Sequence, residues 1–162
     1  MKASPALENM KVQEIASLLI PMQGYQLLLP NVSVAEIVPV SQVTSVQDAP
    51  AWYLGTCSWR EQEVPLLSLE ALNDEPKGEA HARARFAVLN STGTSDDLPF
   101  IAIVCQGLPR LARVNEEEIT PHEHDEPKTY QLMQVSWAGE EAIIPDLPRI
   151  ERAVLEYLRG QA

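Results

Sequence analysis

Glycine is scarce in this chain and never clustered: seven residues in 162, each standing alone. A glycine-rich loop that cradles phosphate through its backbone amides is therefore absent, and nucleotide binding of that kind with it. Cysteine and histidine are also rare. The two cysteines, Cys57 and Cys105, lie in apolar, strand-like segments without metal or redox spacing, and the three histidines, His81, His122 and His124, all sit in polar stretches. A Cys–His nucleophile with its oxyanion site does not assemble from these positions. The expected state of both cysteines is a buried, reduced thiol in a cytoplasmic protein. Long apolar runs are missing: those near 18–20 and 27–29 are far shorter than the ~20 residues a membrane helix needs. No basic and apolar leader opens the chain either. Basic charge is in short supply, with 12 Lys and Arg against 23 Asp and Glu and a net charge of −11. Such a field repels phosphate backbones and anionic lipid surfaces, which argues against nucleic acid and direct membrane insertion.

What is abundant is proline, 13 residues in all. Pro21, Pro30, Pro39 and Pro50 recur at nearly even spacing, and Pro65, Pro99, Pro109 and Pro145 punctuate later apolar runs. Proline removes a backbone donor and clashes within a helix, so this rhythm favours short strands divided by turns. With 45% hydrophobic residues, the chain is long enough for one domain with a real core, built as two small halves.

Taken in order, residues 1–14 read as a tail. A hairpin follows over 15–20 and 25–29. Asn31 is placed to cap one helical turn reaching Glu36, with 37–40 extended after it. A polar linker over 41–51 leads to a second hairpin, 52–59 with 62–67, closed at Arg60-Glu61. The polar run 73–81 is the best internal boundary, so the halves are expected to meet near 73–82. Ala84, Phe86 and Val88 alternate as on a half-buried strand, whereas Phe100 to Cys105 is apolar on both faces and suggests a central one. Residues 107–114 read as a strand, Asn115 as the cap of a turn of three glutamates, and 120–128 as an exposed loop. Met133, Val135 and Trp137 share one strand face before a turn at Ala138-Gly139. Gly24 to Pro30 and Gly139 to Pro145 echo one another: a turn glycine, an apolar strand and a proline at equal spacing. Asp146 caps a last helix with a Leu147, Ile150, Val154, Leu158 stripe that Gly160 ends.

The most informative stretch is 31–72. Glu36 follows Val32, Val34 and Ala35, and Arg60 follows Leu54, Cys57 and Trp59. Two opposite charges, each preceded by apolar or small residues, invite a pair. Val34-Ala35-Glu36-Ile37, the segment from Gly55 to Arg60, and Val64-Pro65-Leu66-Leu67-Ser68-Leu69 occur in the order of the CheW-like adaptor domain of bacterial chemotaxis, which the chain resembles over about 15–158. Ser58 and Glu61 stand where that family has Asn and Gly, and Ser68 where it has Asp.

The resemblance implies a mainly all-β fold: two packed five-stranded SH3-like β-barrels with a C-terminal α-helix, as a single domain over 15–160, with a hydrophobic groove between the barrels. It implies no catalysis and no cofactor. Its implied function is an adaptor coupling a chemoreceptor's cytoplasmic tip to the regulatory domain of a CheA-like histidine kinase. The degenerate hairpin and acidic character suggest an accessory adaptor of a chemosensory system controlling type IV pili. Glu36 and Arg60 would be the paired charges near the partner contacts, Val34 a groove-lining residue and Gly55 a close-packed glycine. Trp59 and Glu61 complete the partner-binding set. The rivals are an unrelated β-barrel that binds extended peptides along an edge and a small Cys/His hydrolase. The only metal candidate, His122-Glu123-His124-Asp125-Glu126, reads as a solvated acidic loop.

Overall fold

The computed structural model describes residues 14–75, 82–121 and 126–161. Among the described residues, twelve strands and two α-helices follow in the order β1 (Glu14–Pro21), β2 (Gln26–Pro30), β3 (Val34–Pro39), β4 (Val43–Thr44), β5 (Tyr53–Trp59), β6 (Gln62–Leu67), α1 (Leu69–Leu72), β7 (Arg85–Asn90), β8 (Phe100–Cys105), β9 (Arg110–Asn115), β10 (Ile119–Pro121), β11 (Gln131–Trp137), β12 (Glu140–Pro145) and α2 (Leu147–Gly160). The proline rhythm is the reason for the short strands: Pro21, Pro30, Pro39, Pro121 and Pro145 each occupy the last residue of one.

The strands form two curled sheets, ordered β10-β11-β12-β2-β1-β9 and β3-β7-β8-β6-β5-β4. Each has five longer strands and one short edge piece, β10 or β4. The halves are not consecutive in sequence, as a boundary near 73–82 would require. That run joins β6 to β7 inside the second sheet, while the first sheet combines the opening hairpin with the closing strands. Chain reversals at 30–34 and 105–110 therefore carry the path between sheets. The two echoing segments meet across this arrangement, because β2 and β12 are parallel neighbours with Ile143 opposite Leu27.

Three apolar clusters account for the packing. Leu19, Leu28, Ala112, Val114, Val135 and Ala142 fill the first sheet's curl. Cys57, Trp59, Val64, Leu66, Phe86, Val88 and Ala102 fill the second. The largest lies between the sheets and takes Ile20, Leu27 and Leu29 from one, Leu67, Leu89, Ile101 and Ile103 from the other, and Leu147, Ile150, Val154 and Leu155 from α2. Strands next to this seam are apolar on both faces, since one face meets the curl and the other the seam. The expectation for β8 holds on that ground. For β7 the sequence suggested one buried face, yet Ala87 and Leu89 are as buried as Phe86 and Val88.

Helix α2 is capped by the Asp146 carboxylate, which accepts from the Arg149 amide at 3.2 Å. It continues through Gly160, and Gln161 closes it. Leu155 joins the buried stripe and Leu158 is only partly covered. Glu151 is 1% exposed. Its carboxylate accepts from the Ser91 hydroxyl (2.7 Å), the Thr92 hydroxyl (2.7 Å) and the Thr92 amide (3.1 Å). A buried charge held by three donors fastens the helix to the loop after β7.

Other expectations shift locally. Asn31 caps nothing; Asn31–Ser33 is one 3-10 turn and the strand begins at Val34, so Glu36 lies on β3. Asn115 does cap the glutamate turn, accepting from the Glu117 amide at 3.1 Å. Thr120 and Pro121, expected in a loop, belong to β10 and pair with β11. Met133 is 38% exposed although Val135 is buried; Met133 lies at the register shift that follows Gln131, near the end of the strand. Residues 1–13 of the expected tail and residues 122–125 of the acidic loop lie outside the described residues, while Glu14 opens β1.

If the seam carries the stability, Ile150→Ala lowers it by about 2–5 kcal/mol. Calorimetry then shows one transition moving to lower temperature, without splitting in two.

Candidate functional site

Strands β5 and β6 are joined by a two-residue turn whose central residues, Arg60 and Glu61, have φ values of 46° and 65°. Left-handed backbone at both positions matches the twist of a hairpin, and glycine or asparagine is the usual occupant. Two long charged residues here leave the turn strained and put both side chains outside the sheet.

On β3, the edge strand at the opposite end of the same sheet, a register shift between Val34 and Glu36 produces a bulge. Val34 and Ile37 both reach the inter-sheet seam, and Ala35 and Val38 both reach the second sheet's interior. The extra residue is Ala35, Glu36 stands opposite Val88, and the Glu36 side chain turns toward the β5–β6 turn, the kind of re-aiming that bulges provide.

The Glu36 Oε1 atom receives two donors there. The Trp59 indole N–H donates to it at 2.9 Å, and the Arg60 guanidinium approaches it at 3.3 Å. Arg60 also lies over the Trp59 ring, 4.7 Å from the centroid. The ring is buried at 6% exposure and meets Phe100 edge-on at 4.8 Å. The ion pair is open to solvent, with side-chain exposures of 67% for Arg60 and 44% for Glu36. Exposed pairs are worth about 0–1 kcal/mol, whereas a hydrogen bond to a charged group is worth about 1.5–3. Trp59 therefore fixes the carboxylate, and Arg60 is the member free to exchange partners.

The remaining expected residues fall elsewhere. Gly55 has φ 130°, and a Cβ there would lie 2.1 Å from the Thr44 carbonyl oxygen. Its role is to admit β4 against β5. Val34 is part of the seam, one strand face away from the turn. Trp52, Tyr53 and Tyr157 form a separate aromatic group, Tyr53 and Tyr157 having centroids 4.6 Å apart, that ties the start of β5 to α2. Phe100, the ring that supports Trp59, escaped the sequence reading because it lies 41 positions further on and no local pattern links the two.

Nucleophilic chemistry finds no support at either cysteine. Burial pushes both the Cys57 and the Cys105 thiols up, away from the reactive thiolate. Among the described residues no group of three His, Cys, Asp or Glu side chains is arranged to hold a metal, and no helix is long and apolar enough to cross a membrane. The cluster offers recognition: an exposed guanidinium, a fixed carboxylate and an indole ledge.

A family model described as the CheW-like domain matches residues 16–154. Among solved structures, the crystal structure of scaffolding protein TtCheW from Thermoanaerobacter tengcongensis superposes with a TM-score of 0.70 at 14% identity, covering 82% of this chain and 89% of that one. No curated protein matches the sequence.

Two substitutions test the local geometry. Glu61→Gly relieves the left-handed backbone and raises stability by about 1 kcal/mol in denaturant unfolding. Gly55→Ala forces β4 off its partner and lowers stability by about 2–4 kcal/mol in the same assay.

Proposed function

This chain belongs to the CheW-like domain family, and from that premise we propose that it couples the cytoplasmic tips of chemoreceptors to a CheA-like histidine kinase by docking on the kinase's regulatory domain. It is an adaptor and scaffold, not an enzyme. It works in the cytoplasm by holding both partners in one assembly, so that a change in receptor conformation reaches the kinase mechanically.

The observation that carries this reading is the Glu36–Trp59–Arg60 cluster. Its charges are presented at a rigid turn, contribute little to the fold and are therefore available to a partner. Glu61 extends the same edge. Val34 acts from behind, as part of the groove between the sheets, and Gly55 acts by setting the position of β5 beneath the turn. Ser58 and Glu61 depart from the family pattern, and with the acidic surface they favour an accessory adaptor in a system controlling type IV pili.

The test is titration calorimetry against the purified kinase regulatory domain and a receptor cytoplasmic fragment. Wild type binds both. Arg60→Glu sets two carboxylates side by side and weakens at least one interaction by about tenfold or more, while stability changes by no more than about 1 kcal/mol. Failure of wild type to bind either cognate partner overturns the adaptor reading. Wild-type affinity in Arg60→Glu overturns the role of the turn.

A further inference from the structure

A hollow of about 220 Å3 lies between the β5–β6 hairpin, the loop after β7 and the last turn of α2. Val64 and Leu98, at 1% and 2% exposure, give it an apolar lining together with Phe100 and Leu158. Its walls are fixed by bonds within the chain. The Ser91 amide donates to the Pro99 carbonyl at 3.0 Å and closes the loop at its base. Glu151 holds the start of that loop to α2, and Leu158 follows two turns later on the same helix.

Two carboxylates, Glu63 and Asp97, share this lining, which contains no basic side chain. The Thr56 hydroxyl donates to Glu63 Oε2 at 2.7 Å, which orients the carboxylate and leaves Oε1 to accept from elsewhere. Among the described residues the Asp97 carboxylate has no partner. Tyr53 is the third polar group. It is 5% exposed, yet among the described residues nothing pairs with its hydroxyl. Burial, and after it the neighbouring Tyr157, push its pKa up, so the group stays a neutral phenol whose oxygen accepts a donor. A buried hydroxyl without a partner is costly, and the hollow that Tyr53 lines is where a partner can enter.

We propose that this hollow is a binding site for a small primary alkylammonium ion, a ligand site separate from the Glu36–Trp59–Arg60 cluster. The ammonium group donates to the acceptors that the lining offers, Glu63 Oε1, the Asp97 carboxylate and the Tyr53 phenol oxygen, which match its three N–H bonds. The hydrocarbon stem covers Val64, Leu98 and Leu158. The volume lies below the range of about 300–1,000 Å3 typical of drug-sized ligands, so the stem is short. A protein is a poorer occupant: among the described residues, none of the exposed large apolar side chains lines the hollow, and it lacks the apolar surround that an interface buries at its core. Anions are repelled by both carboxylates and by a net charge of −11. A hard metal ion meets hydrocarbon where it requires oxygen.

The experiment titrates pentylammonium chloride into the isotope-labelled full chain and follows amide chemical shifts by NMR. The shifts saturate in about the millimolar range expected of so small a ligand, centre on Thr56, Val64 and Leu98, and need more ligand as salt rises. Pentanol, which keeps the stem without the charge, binds at least about tenfold more weakly. Glu63→Gln and Tyr53→Phe each weaken pentylammonium by about fivefold to tenfold. Tyr53→Phe keeps the ring and removes a hydroxyl that bonds nothing in the free chain, so its melting temperature does not fall. Circular dichroism verifies that each variant is folded. Arg60→Glu binds pentylammonium like wild type, so the outcome is independent of the adaptor reading. Absence of saturable shifts at the hollow overturns the proposal, as does equal binding of pentanol or wild-type affinity in either Glu63→Gln or Tyr53→Phe. A short peptide with one lysine between glycines that binds tenfold tighter than pentylammonium also overturns it, in favour of a protein partner.

Discussion

Burial of one apolar seam between two sheets is the constraint on which the molecule depends. Each sheet is small, and the core within its own curl is smaller than the one the sheets share. Leu67, Leu89, Ile101 and Ile103 have somewhere to go only because Ile20, Leu27 and Leu29 face them, and α2 seals the remaining side with Ile150 and Val154. Each such side chain contributes about 1.5–3 kcal/mol by leaving water. Neither sheet can supply that alone.

The seam also explains why the surface can be used for recognition. A fold held from inside tolerates a strained turn with Arg60 and Glu61 in left-handed backbone and an edge strand bulged at Ala35, just before Glu36. Both are local defects in regularity, and together they bring a carboxylate, an indole and a guanidinium to one spot. Because the exposed ion pair adds little to stability, its members are available for contacts outside the chain. Buried polar groups are treated in the opposite way: Glu151 spends its carboxylate on three donors and presents nothing to solvent.

Much of this was legible locally. Proline spacing marked the strand ends, the two-residue hairpin at Arg60-Glu61 was placed correctly, and Asn115 and Asp146 cap where expected. The attraction between Glu36 and Arg60 could be read from charges set after apolar residues. What escaped was non-local. Sheet membership follows from parallel pairs, β2 with β12 and β6 with β8, that no periodicity encodes, which is why a boundary at 73–82 looked natural. The bulge at Ala35 changes which face the following residues occupy without altering the apolar pattern. The burial of Glu151 has no local signal, since its hydroxyl partners lie about sixty positions away. Glu63 and Asp97 line one hollow only because the β5–β6 hairpin and the loop after β7 pack together.

Native-state hydrogen exchange tests the shared seam most directly. On this account, amides in β1, β2, β7 and β8 exchange through one global opening with a common free energy and a common denaturant dependence, while β4, β10 and the Arg60-Glu61 turn open locally at lower cost. Two distinct free energies, one for each sheet, would contradict it.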